Sequence, residues 1–256
     1  MGPMRPLLAA PVAILAVFVS VPALPWTATT RIGMIDEAVT LMPPALRSVL
    51  EKRRNDLRRG MLEPMTEEDA PAHRPPWEDG ALPDSVAAAA RDVVAGVSSR
   101  TPFREVARRF GALAHFVADA GFPPAAAGAA GAARYEPFAA LCENRRPRFP
   151  LVFYGHDNGA LAQNDFKAFT TGILERSRAE DRNLERAYAE AARSNDPGAF
   201  DDRSVPFAVA SLSYSRSVTD IVQAWLAAWR LSDGDLGGTP YSGAANHEHV
   251  GPASAD

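Results

Sequence analysis

The 256-residue sequence contains a single cysteine, Cys142. One thiol cannot form a disulfide within the chain, so the fold has no internal disulfide framework. Its neighbours Leu141, Glu143 and Asn144 give no indication of an activated thiolate, and we therefore expect no catalytic Cys/His pair.

An excess of positive charge is also missing. The chain carries 27 Lys and Arg against 31 Asp and Glu, for a net charge of −4 and an isoelectric point of about 5.8. Without a basic field, stable nonspecific binding to nucleic acid is not expected. The hydrophobic content of 46% suits one large domain, or one domain with tails.

Long hydrophobic runs are confined to the N-terminus. Arg5 precedes an apolar run over residues 7–21, which has the length of a signal-peptide core and is short for a membrane span. Val21 and Ala23 place small side chains at positions −3 and −1 of a cleavage site. We predict a signal peptide over residues 1–23 and export to the periplasm or the medium, with no transmembrane domain after its removal. An uncleaved N-terminal anchor is the alternative.

The alternating pattern of β-strands is absent at any useful length, and no internal repeat is present. Helical periodicity dominates instead, and Pro43-Pro44 should split residues 30–59 into two helices. We predict an all-α, single-domain helical bundle over residues 24–241, without a sheet. Asp84 or Ser85 should cap the next helix, and the remaining long helices fall at residues 101–121, 134–143, 164–194 and 204–231.

The other segments lack this periodicity. Residues 61–82 are a proline-rich loop, and the Ala- and Gly-rich residues 124–133 suggest a flexible surface loop. Residues 151–154 are extended or begin another helix. Residues 242–256 are predicted to be a disordered tail, in which His247-Glu248-His249 resembles a metal motif but has no scaffold.

The most informative pattern is His115 with Asp119 on the helix over residues 101–121. Side chains four residues apart share a helix face, so this imidazole and this carboxylate could hold one divalent ion together. A structural histidine at the edge of the core is the alternative.

In the order of its motifs, the chain over residues 26–241 resembles the zinc-dependent phospholipases C and the S1/P1 nucleases. Trp26 stands where these proteins begin, Met42-Pro43-Pro44 ends the first helix, and His73 follows an Ala-Pro step. His115 and Asp119 match the family's His-x-x-x-Asp motif. The resemblance implies an all-helical fold in which three clustered zinc ions hydrolyse phosphodiesters.

Five positions depart from the family's ligand pattern, and they are Arg31, Met65, Ala125, Tyr135 and Ala139. The resemblance leaves His73, His115 and Asp119 as metal ligands, enough for at most one zinc ion, with no zinc as the preferred interpretation. A fourth ligand could come from a carboxylate of the acidic loop, namely Glu63, Glu67, Glu68, Asp69 or Asp79. The alternative is that these carboxylates only make the loop soluble and bind no metal.

Three functional hypotheses follow. The first is an exported phospholipase C/P1 nuclease-like protein with a degenerate zinc centre, non-catalytic or very weakly active. The second is a single-zinc phosphodiester hydrolase using His73, His115 and Asp119, acting on phospholipid or nucleic acid. The third is a generic exported helical interaction protein, although residues 213–236 resemble the family's closing segment. We assign that segment to packing without chemistry, and the sequence names no partner.

Arg31 stands where the resemblance places a histidine ligand. A guanidinium cannot ligate zinc, so it either binds a substrate phosphate or replaces a lost cation. Because an unpaired buried carboxylate is costly, we predict an ion pair between Arg31 and Asp119.

Overall fold

The structure is a computed structural model that describes residues 25–66, 69–194 and 200–242. The predicted signal peptide at residues 1–23 and the residues from 243 onward, with His247 and His249, lie outside this part. So do Glu67 and Glu68, two of the candidate fourth ligands.

Ten α-helices and several 3₁₀ turns make up the described part of the chain, in which no residue belongs to a β-strand. The all-α expectation is therefore confirmed. The helices are α1 (Ala28–Thr40), α2 (Pro44–Lys52), α3 (Arg54–Leu62), α4 (Leu82–Ser98), α5 (Phe103–Ala120), α6 (Pro123–Ala126), α7 (Ala132–Arg145), α8 (Gly159–Ala162), α9 (Phe166–Ser194) and α10 (Val205–Leu231).

Two predicted helix boundaries are wrong. Residues 30–59 contribute to three helices rather than two, because the backbone leaves helical geometry at Arg53 as well as before Pro44. The fourth helix is not capped by Asp84 or Ser85, since it begins at Leu82. Pro83 can occupy its first turn because a proline lacks only an N–H that would have no helical partner there.

The prediction of a flexible surface loop at residues 124–133 is also wrong. Helix α6 and a 3₁₀ turn at Gly128–Gly131 occupy this segment, and Pro124, Ala126 and Gly131 are buried. Helix α6 packs against α9. A Cβ atom at Gly131 would overlap the carbonyl oxygen of Pro124, so the small residues here serve close packing.

Helix α5 forms the centre of the bundle and packs against α3, α4 and α10. Two buried tryptophans hydrogen-bond to its main chain. Trp225 donates from Nε1 to the carbonyl of Phe110, and Trp26 donates in the same way to Ala118, each at 2.9 Å. The middle and the C-terminal end of α5 are thereby fixed to distant parts of the chain.

Two glycines allow α3 and α5 to pack with their backbones in contact. A Cβ atom at Gly60 would overlap the carbonyl oxygen of Arg108, and one at Gly111 would overlap that of Leu57. This close approach brings the carbonyl of Met61 next to His115 on α5.

Charged side chains join α9 to α10 inside the bundle. Nη2 of Arg176 lies 2.5 Å from Oδ2 of Asp220, and Glu180 accepts hydrogen bonds from Ser213 at 2.8 Å and from Arg216. Burial raises the pKa of Asp220 to about 6, although Arg176 favours its ionised form. The ion pair therefore offsets only part of the desolvation cost.

This raised pKa predicts a pH dependence of stability. The folded state holds the Asp220 proton more tightly than the unfolded state, whose pKa is about 4, so this contribution is present below about pH 4 and is lost as the pH rises through about 6. Between these limits, the unfolding free energy of the natural protein should fall by about 3 kcal/mol relative to that of D220N. Urea unfolding at several pH values measures this difference. A difference between D220N and the natural protein that stays constant with pH would contradict the assignment.

Candidate metal centre

Three chain segments bring four polar side chains together next to α5. Helix α1 supplies Arg31, the 3₁₀ turn Ala70–His73 supplies His73, and α5 supplies His115 and Asp119. Arg31, His115 and Asp119 are at most 1% exposed, and the side chain of His73 is 11% exposed. The site is thus buried, with His73 on the side nearest to solvent.

The two histidines and the carboxylate form a compact triangle of donor atoms. Nδ1 of His73 lies 2.7 Å from Oδ2 of Asp119, and Nε2 of His115 lies 3.2 Å from the same oxygen. The two imidazole nitrogens are 3.3 Å apart. Asp119 is therefore the residue that both histidines share.

The tautomer of His115 follows from its main-chain partner. Nδ1 lies 2.8 Å from the carbonyl oxygen of Met61 and 3.3 Å from Nη1 of Arg31, and a proton on Nδ1 satisfies the nearer of the two, the carbonyl acceptor. Burial, reinforced by the charge of Arg31, lowers the pKa of His115 although Asp119 opposes the shift. The ring is then neutral, and the lone pair on Nε2 faces His73 and Asp119. A ligating histidine is held in the same way, by a carbonyl on its other nitrogen.

Arg31 is completely buried, and its guanidinium donates to protein acceptors. Nη2 lies 2.5 Å from Oδ1 of Asp119, and Nη1 donates to the carbonyl of His115 at 3.3 Å. Nε donates to the carbonyls of Pro25 and Trp26 at 3.0 and 3.2 Å, and Nη2 also reaches that of Pro25. With no exposed surface, this arginine has the geometry of an ion-pair partner rather than of a phosphate ligand.

Asp119 remains ionised in this environment. Burial opposes its ionisation, but the charge of Arg31, together with the hydrogen bond from His73, outweighs that cost and holds the pKa of the carboxyl well below its usual range. A depressed carboxyl pKa adds stability that is present above about pH 4 and is lost as the pH falls.

The donor triangle is close to what one zinc ion requires. With zinc–nitrogen distances of about 2.0–2.1 Å, the edges of a tetrahedral site measure about 3.3–3.4 Å. The two edges from Nε2 of His115 match this length, at 3.2 and 3.3 Å. The His73–Asp119 edge of 2.7 Å is a hydrogen bond and would have to lengthen as the Nδ1 proton leaves. This group could therefore bind one metal ion.

The remaining candidate ligands do not join this group. Among the described residues, no fourth His, Cys, Asp or Glu joins the three. Glu63 binds Arg59 and Arg108 instead, and Asp69 and Asp79 also lie outside the group. Met65, Ala125 and Ala139 carry no ligand atom of these types.

Tyr135, where the resemblance places a histidine, has a buried hydroxyl with no hydrogen-bond partner among the described residues. Burial, followed by the negative charge of Asp119, raises its pKa. The phenol therefore stays protonated and adds no charge to the site.

Sequence reasoning missed the main-chain part of the site. The carbonyls of Pro25, Trp26 and Met61 orient Arg31 and His115, yet any residue type can supply a carbonyl. The close-packed glycines at positions 60 and 111 were the indirect signal for Met61, because they allow α3 to approach α5.

Comparison with known proteins supports the fold. No family model matches the chain, and no curated protein matches it. Among solved structures, it is similar to an alpha-toxin of Clostridium perfringens isolated from avian strain SWCP, with a TM-score of 0.60 and 13% sequence identity. The alignment covers 82% of this chain and 66% of that chain. At this identity the likeness shows the fold alone.

The buried ion pair predicts a large effect of removing only one partner. R31A should lower the unfolding free energy by about 3–5 kcal/mol, because Asp119 would remain buried without its cation. Chemical denaturation at neutral pH measures the loss. Adding D119N to R31A should restore part of the stability, since the uncompensated charge is then removed.

R59A is the matched control for this experiment. The Arg59 side chain is 69% exposed and pairs with Glu63, so its loss should cost less than about 1 kcal/mol. An unchanged melting temperature for R31A would contradict the role of the buried pair.

Proposed function

We propose that this chain is an exported phospholipase C/P1 nuclease-like protein with a degenerate zinc centre, non-catalytic or very weakly active. The guanidinium of Arg31 carries this proposal. It lies at 2.5 Å from Asp119, fully buried, at the position where the family resemblance implies a metal ligand. The likeness of the fold to alpha-toxin agrees with the resemblance.

A fixed cation changes what the site can hold. Arg31 neutralises Asp119 and keeps its own charge at any working pH, so the attraction of this carboxylate for a divalent ion is largely cancelled. A metal cluster stabilises a phosphodiester transition state because several ions share the developing charge. A metal ion can bind a substrate oxygen at an open coordination position. The guanidinium of Arg31 has no exposed surface, so a substrate cannot reach it in this way.

A single-zinc hydrolase is the second candidate, favoured by the convergence of His73, His115 and Asp119. When bound, zinc would supply Lewis acidity and a water of lowered pKa. The carbonyl of Met61 keeps the lone pair of Nε2 on His115 directed at the site. Phospholipid and nucleic acid are the proposed substrates in this case alone.

The proposal of export depends on the predicted signal peptide at residues 1–23. No helix in the described part of the chain has the length and apolar character to cross a membrane. The net charge of −4 argues against stable binding to nucleic acid.

Zinc titration of the purified protein tests the proposal. We expect no stoichiometric zinc by calorimetry, and no robust turnover of phosphatidylcholine, single-stranded DNA or bis(p-nitrophenyl) phosphate with added zinc. R31H should not restore turnover, because the other ligands are still missing.

H115A and H156A separate the two candidates. One zinc per chain that H115A abolishes and H156A retains would support the single-zinc hydrolase, provided that turnover follows the metal. Strong zinc-dependent turnover lost in H115A would refute the non-catalytic proposal.

A further inference from the structure

Residues 150–154 belong to no helix, and side chains of α10 hold their main chain along that helix. Ser215 accepts a hydrogen bond from the N–H of Val152 at 3.2 Å and donates to the carbonyl of Pro150 at 3.1 Å. One turn further on, Thr219 accepts from the N–H of Tyr154 at 3.2 Å. We call residues 150–154 the extended segment.

The spacing of these bonds follows from the geometry of both elements. Residues 215 and 219 are one helical turn apart, which is about 6.0 Å along the axis of α10. Two residues of an extended chain span about 6.6–6.8 Å, so every second residue can meet a side chain on successive turns. Gln223, one turn beyond Thr219, donates to the carbonyl of Gly155 at 2.9 Å, where the segment ends at a positive φ of 94°.

The opposite edge of the extended segment lacks such partners. Successive residues of an extended chain direct their main-chain N–H and C=O groups to opposite sides, so those of Leu151 and Phe153 face away from α10. Within the described residues, no hydrogen bond involves these four groups. They form an open main-chain edge of two residues.

Three of the side chains here are large, apolar and exposed, whereas Phe153 is partly buried, with its ring against those of His156 and Tyr241. Leu151 is 39% exposed, Val152 44% and Tyr154 50%. No charged residue occurs from position 149 to 156. Proteins usually protect open edges with charges, and an apolar open edge is a template for pairing with another strand.

We infer that the extended segment pairs with the same segment of a second copy of this chain, antiparallel about a two-fold axis at Val152. In this register Leu151 of each copy faces Phe153 of the other, and each such pair exchanges both main-chain hydrogen bonds. Two-fold symmetry then gives four hydrogen bonds from the groups that lack partners.

The side chains of this register are complementary. Val152 meets its own copy on the axis, Leu151 meets Phe153, and Tyr154 meets Pro150, so every cross-strand pair is apolar. Pro150 does no harm, because it lies at the start of the segment and its carbonyl is turned toward α10. A segment of another protein would need this apolar pattern by chance, whereas a second copy always carries it.

Sedimentation equilibrium of the full chain over a wide concentration range tests the dimer. The average mass should rise with concentration from the 27.4 kDa of one chain toward twice that value. V152K should abolish the rise, because two lysines would face each other on the axis. V205K, the same change at a residue that is 51% exposed on α10, should leave it intact. A mass of one chain at all concentrations overturns the inference.

Cysteine cross-linking tests the register without relying on affinity. Directly opposed residues of a non-hydrogen-bonded pair have Cα atoms about 4.5 Å apart, within disulfide range, so V152C should form a covalent dimer with oxidised glutathione. L151C should not, because its two copies are offset by two residues along the strands, beyond about 7 Å. The natural Cys142 is buried and does not compete. Equal cross-linking of both variants, or of neither, overturns the proposed pairing.

Discussion

The buried ion pair between Arg31 and Asp119 is the interaction on which the centre of this molecule depends. Neither side chain has solvent-exposed surface, so each charge would be strongly destabilising without the other. The rest of the site follows from this requirement. Main-chain carbonyls of Pro25 and Trp26 take further N–H groups of the guanidinium, while His73 hydrogen-bonds to the second carboxylate oxygen. Asp119 thereby joins three elements, which are α1, α5 and the turn at Ala70–His73.

A guanidinium and a divalent ion satisfy a buried carboxylate in different ways. The metal can exchange, keeps an open position and activates water, whereas the arginine is covalently fixed and directs its N–H groups at protein acceptors. With arginine at position 31, Asp119 is held in an ion pair within the protein. Nε2 of His115 still faces the same carboxylate at 3.2 Å, which is why the zinc titration, and not the fold, separates the two proposed functions.

Some of this site could be predicted from the sequence, and the reasons are physical. His115 and Asp119 are four residues apart on a helix, a spacing that fixes their common face. His73 and Arg31 are distant in the sequence, and only the order of motifs in the family resemblance suggested that they meet. The carbonyl of Met61 carries no residue signature, and the small residues of α6 have the composition of a loop although they pack closely against α9. The composition of a segment does not show which other helices pack against it, so it could not predict that α6 is buried against α9.

Helix α10 shows a signal that the sequence did contain. Ser215, Thr219 and Gln223 recur every four residues, yet we assigned the segment that holds them to packing without chemistry. Hydroxyl and amide side chains in such a row within a buried helix need partners, and here they find the main chain of the extended segment. A helix can thus hold a single strand without a sheet, because one helical turn nearly equals two extended residues in length. What a helix cannot do is cover the other edge of that strand, and the open edge at Leu151 and Phe153 is the direct result.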